Sequence, residues 1–126
     1  MEIKPTYVTF EQAKLIRKKG FNLKTTWAYQ SSNPKNKYSY KVNHEILLRD
    51  KKDVFCPEQW ELVEYLRINH GIWIEILLTE DSPYNNFYFR IMEIGKYFTL
   101  SHDGIYRNTP QEAYSAAFDY ILKELI

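Results

Sequence analysis

Three histidines, one cysteine and a Ser-His-Asp run are the side chains here whose types suit catalysis or metal binding. Zinc sites draw on closely spaced pairs such as C-x₂-C or H-x₃-H, because neighbouring ligands then share a turn or a helix face. His44, His70 and His102 stand 26 and 32 residues apart, and Cys56 has no second cysteine to join it. That spacing predicts no metal and no cofactor. Ser101-His102-Asp103 has the residue types of a hydrolytic triad, but adjacent residues cannot easily line up nucleophile, base and carboxylate. With Gly104 behind it, the run reads as a turn. Cys56 precedes an expected helix start, a place that can lower a thiol pKa, yet no base lies nearby in sequence. Gly20, Gly71, Gly95 and Gly104 are scattered, giving neither a P-loop nor a dinucleotide fingerprint. The expectation is a protein that binds rather than one that catalyses.

Binding has better raw material. Aromatic residues make up 17% of the chain, with 11 tyrosines, 7 phenylalanines and 3 tryptophans. Tyr and Trp join a flat apolar face to a polar handle. Beside Lys24, Arg90 and Arg107 they suit the stacking of a base and the neutralising of a phosphate. The same types are enriched where proteins dock on one another. Small sheets also use aromatics simply to pack. The candidate ligand-binding residues are Trp27, Tyr29, Tyr38, Trp73, Tyr88, Arg90, Tyr106 and Arg107.

These residues have to be held by regular elements. Thr9 and Gln12 have capping-box spacing at the start of a helix from Phe10 to Lys19, and Gly20 suits its C-terminal cap. A second helix is expected from Pro57 to Asn69, with Leu62, Val63 and Leu66 on one face. The third is the clearest: Thr109 caps, Pro110 starts, Glu112 completes a capping box, and Tyr114, Ala117, Phe118, Ile121, Leu122 and Leu125 follow helical spacing. Ile72–Leu78 and Phe87–Ile91 alternate like half-buried strands of a hairpin. Lys24–Tyr29 and Tyr38–Val42 form an earlier hairpin, and Tyr97–Leu100 adds a short edge strand. The expected fold is one α+β domain over residues 1–126, with an antiparallel sheet of four to five strands and three helices in the order α-β-β-α-β-β-(β)-α.

A chain of 126 residues suits one domain with its own core. No apolar run approaches the length of a membrane span, the start Met1-Glu2-Ile3-Lys4-Pro5 lacks a signal peptide's apolar segment, and a lone cysteine fits a reducing compartment. A cytoplasmic location is expected. Net charge is +1, but unevenly spread: residues 1–52 hold 12 Lys/Arg against 4 Asp/Glu, and residues 53–126 hold 5 against 12. The first half is thus +8 and the second −7. A positive face toward an anionic partner is one reading, and mutual attraction of the halves the blander one. The near-neutral total argues against nucleic acid as partner.

Pro57-x-Gln59-Trp60, running on through Glu61-Leu62-Val63-Glu64-Tyr65-Leu66-Arg67 to His70-Gly71-Ile72, resembles the middle of a group of small phage and prophage proteins common in viruses of gut Bacteroidota. The last helix, Thr109 to Leu122, is similar to that group's ending, and Thr9-Phe10-Glu11-Gln12-Ala13-Lys14 fits its opening. The resemblance implies expression in the cytoplasm of an infected bacterial host. It implies no reaction and carries over no site residue. The reading that follows is a phage accessory protein that sequesters a nucleotide-like or other small anionic ligand in counter-defence, a role that fits a homo-oligomer. The alternatives are a module that occupies a host protein, or a virion component.

Overall fold

The computed structural model describes residues 3–23, 25–30, 39–41, 52–80, 83, 86–96, 99–101 and 105–126, with backbone alone for 39–40 and 99–101. The chain divides into two compact units, Met1–Glu58 and Gln59–Ile126.

In the first unit, helix α1 runs over Phe10–Lys18. Its capping box forms as the spacing predicts. The Thr9 hydroxyl accepts from the Gln12 N–H at 3.1 Å, and the Gln12 side-chain oxygen accepts from the Thr9 N–H at 2.9 Å. Gly20 follows with φ 74°, a left-handed conformation that glycine adopts without a Cβ penalty. Ala13 and Ile16 are the buried apolar stripe. Three short strands follow: β1 (Trp27–Tyr29), β2 (Ser39–Lys41) and β3 (Val54–Phe55). They form an antiparallel sheet in the order β2-β1-β3, with Trp27 opposite Lys41 and Ala28 opposite Phe55. Val8, Ala28, Val54 and Cys56 are buried with the helix stripe.

In the second unit, helix α2 spans Gln59–His70. Gly71, at φ 63°, turns the chain directly into strand β4 (Ile72–Leu78). Strand β5 (Phe87–Glu93) pairs with it antiparallel along its full length, and β6 (Thr99–Ser101) pairs with β5 across an irregularity at Ile91/Met92. Helix α3 covers Pro110–Tyr120 and ends in a π-helical turn over Ile121–Leu125. Leu62 and Leu66 of α2, Ile72, Ile74, Phe89 and Ile91 of the strands, and Ala113, Ala117 and Phe118 of α3 are buried, with Ile121 and Leu122 beyond them. The alternation of β4 and β5 thus puts one face of the sheet against helices.

The mixed helix–strand class is as expected, but the single sheet of four to five strands is not. Among the described residues two three-stranded sheets stand in its place, one in each unit. The unforeseen strand is β3. Two residues between Asp53 and Cys56 are too few to show a period of two, and pairing with β1 is what makes them a strand. Helix α2 begins two residues later than expected. The Pro57 carbonyl accepts the Val8 N–H at 3.0 Å, and Glu58 bridges to Tyr7, so both residues belong to the first unit's extended pairing rather than to the helix. Around α3, Thr109 accepts the Glu112 N–H as a cap, but the Glu112 carboxylate takes the N–H of Asn108 rather than that of Thr109.

Candidate functional site

Four of the eight expected residues come together on the outer face of the β4–β5 sheet. Strand parity does this. Ile72, Ile74, Phe89 and Ile91 turn inward and are buried, so Trp73, Glu75 and Leu77 of β4 share the other face with Met92, Arg90 and Tyr88 of β5. The register sets them directly opposite in pairs: Trp73 with Met92, Glu75 with Arg90, Leu77 with Tyr88. Tyr106 extends the row. Residue 107 bridges to Phe87, which brings the preceding tyrosine beside β5. Its ring meets that of Tyr88 edge-on, with centroids 5.5 Å apart. Trp73 is 41% exposed and Tyr106 38%.

The middle of this face is electrically closed. The Arg90 guanidinium donates twice to one carboxylate oxygen of Glu75, at 2.6 and 3.2 Å. Both side chains are about one third exposed, so they meet at the sheet surface rather than inside. The cation expected to meet an anionic ligand already has a carboxylate across the strand.

The other expected residues lie elsewhere. Arg107 bridges to Phe87 on the inward side, and its guanidinium lies 5.7 Å from the centre of the Phe89 ring. There it lines a concavity with Asp119, Tyr120, Lys123 and Glu124. It belongs to the helix-covered face, opposite Tyr88 and Arg90. Trp27 and Tyr29 belong to the first unit. Tyr29 is a packing residue there: its hydroxyl donates to the Val8 carbonyl and its ring meets Phe10 edge-on at 5.7 Å. Burial pushes its pKa well above the ordinary tyrosine value, and hydrogen bonding to Cys56 pushes the same way. Trp27 is 36% exposed, with Lys41 opposite it on β2. Tyr38 and Lys24 lie outside the described residues.

The catalytic inventory stays dispersed. Among the described residues no three His, Cys, Asp or Glu side chains gather in a metal-binding group. His70 ends α2, its ring tilted against Tyr65 at 6.0 Å, while His44 and His102 lie outside the described residues. Cys56 is buried, three residues before α2 begins in sequence. Among the described residues no helix is long and apolar enough to cross a membrane.

Sequence reasoning missed Glu75, Leu77 and Met92 as members of the face. The signal was present, because the period of two that set Trp73 outward sets Glu75 and Leu77 outward too. What the sequence lacked was the register that joins Glu75 to Arg90. Comparison with protein-family models, with curated proteins and with solved structures finds no match for this chain.

Proposed function

We propose that this chain is a non-catalytic binding module that docks on a protein through the outer face of the β4–β5 sheet. The observation that carries the reading is the composition of that face. Trp73, Tyr88, Tyr106, Met92 and Arg90 are the residue types enriched at the centres of protein interfaces, and here they are contiguous. A seven-residue strand pair gives a strip about 24 Å long and about 10 Å wide. That is smaller than the roughly 800 Å² each partner contributes to a standard interface.

The Glu75–Arg90 pair favours a protein over a small anion at this face. A nucleotide-like ligand needs uncompensated positive charge beside the rings. A protein interface needs its central charges paired, as these are. On the resemblance to phage proteins, the partner is a host protein and the effect is to occupy it in counter-defence.

The test is quantitative capture from a Bacteroidota host lysate by the wild type and by a Trp73→Ala/Tyr106→Ala variant of equal secondary structure. A protein enriched by the wild type and reduced about tenfold or more by the variant supports the reading, since losing one hot-spot aromatic costs 2 kcal/mol or more. Equal capture by both refutes it. A thermal-stability gain with cyclic dinucleotides that disappears in the variant also refutes it, because mass action would then assign the face to a small ligand.

A further inference from the structure

We propose a second binding site, on residues 1–58, that takes a compact polyphosphate-bearing anion and is independent of the docking reading. Lys14, Arg17 and Lys18 occur at i, i+3 and i+4 of α1, so they share one side of the helix. Lys52, 34 positions beyond Lys18 in sequence, joins them. These four cations line one open concavity of about 470 Å³ together with the buried Val54.

Arg17 is held in place. Its guanidinium donates to the Asp53 backbone carbonyl at 2.6 Å, which fixes it against the segment that carries Lys52. A carbonyl partner orients the guanidinium without cancelling its charge. Lys14 meets Glu11 at 3.1 Å and lies 5.0 Å from the centre of the Phe10 ring. Both members of that ion pair are about half exposed or more, so solvent screens the pair and the ammonium still reaches the concavity. Four cations thus converge on one concavity of a chain whose total charge is +1. Like charges converging on a concave surface focus the field there and raise the local concentration of anions.

The lining also says what is recognised. The volume lies within the range of small-molecule sites. Among the described residues no aromatic ring lines it, so they offer no platform for stacking a base. Recognition rests on charge, and the ligand is a chain of phosphates, free or at the end of a nucleoside. A nucleic-acid polymer fits less well. It would need a basic groove that follows its backbone, and the near-neutral chain gives little counterion release.

The test is calorimetric titration of the full chain with sodium tripolyphosphate, ATP, adenosine and a single-stranded deoxyoligonucleotide. The expected result is that tripolyphosphate and ATP bind with affinities within about threefold of one another and adenosine does not bind. Affinity should fall as salt is raised. The Lys18→Glu/Lys52→Glu variant should lose about tenfold or more in affinity for tripolyphosphate while its thermal midpoint stays near that of the wild type, because both side chains are exposed. Tighter binding of ATP than of tripolyphosphate by much more than threefold assigns the source to a nucleotide and overturns recognition by charge alone. No binding of tripolyphosphate, unchanged affinity in the variant, or tighter binding of the oligonucleotide also overturns the proposal.

Discussion

The Glu75–Arg90 pair gives the account its sharpest numerical exposure. The perturbation is a double-mutant cycle: Glu75→Ala, Arg90→Ala and the two together. Two unit charges about 4 Å apart attract by about 1 kcal/mol in water and about 4 kcal/mol at the effective dielectric of a protein surface. Here the side chains are 38% and 33% exposed, so screening favours the lower figure. Opposed charges on neighbouring strands contribute roughly 0.2–1 kcal/mol in measured cases. The 2.6 Å contact with a second donor to the same oxygen places this pair at the upper end. The expected coupling is therefore about 0.5–1 kcal/mol. The assay is equilibrium urea denaturation of all four proteins, with the slope checked to be constant. A coupling indistinguishable from zero would mean that Glu75 does not hold the Arg90 charge. The guanidinium would then be open to an anion, and the choice of a protein partner for this face would lose its reason.

The remaining predictions concern what holds each unit together. Phe118→Ala removes a fully buried ring that stacks on Tyr114 at 6.1 Å, and should cost about 3–5 kcal/mol in urea denaturation; a cost below about 1 kcal/mol would place Phe118 outside the core. Thr9→Ala breaks the capping box of α1 and should cost about 1 kcal/mol, with no loss meaning that the cap is idle. Tyr29→Phe leaves the Val8 carbonyl without its donor and should cost about 1–3 kcal/mol near neutrality. That cost has a pH signature. Burial raises the Tyr29 pKa in the folded chain, so below the unfolded value of about 10 both states hold the proton and the contribution is complete. Above it the unfolded chain ionises first, and stability falls as pH rises. The gap between wild type and Tyr29→Phe should therefore narrow above about pH 10, and a gap that widens there would contradict the burial.

The legible parts of this fold were those specified by neighbours in sequence. Thr9 with Gln12, Thr109 with Pro110, and the isoleucines of β4 each depend on residues a few positions away, and all three appear where expected. Pairing between distant segments was not legible. The β3 strand exists because Val54 and Phe55 meet Tyr29 and Ala28, and two residues carry no pattern of their own. The division of the strands between two sheets is a matter of partner choice, which alternation does not encode. The site divides in the same way. Parity alone put Trp73, Tyr88 and Arg90 on one face, correctly. The opposite side taken by Arg107 came from its bridge to Phe87, and the closing of Arg90 came from register. The arrival of Lys52 beside the cations of α1 was not legible either.

The central claim is that the outer β4–β5 face is where a protein partner sits. Its most direct measurement is site-specific photo-cross-linking in host lysate, with a photoreactive phenylalanine placed at Tyr106 on that face or at Lys123 beyond α3. The account predicts a discrete adduct from position 106 that unlabelled wild-type protein competes away, and no such adduct from position 123. The same adduct from both positions, or none from position 106, would contradict it.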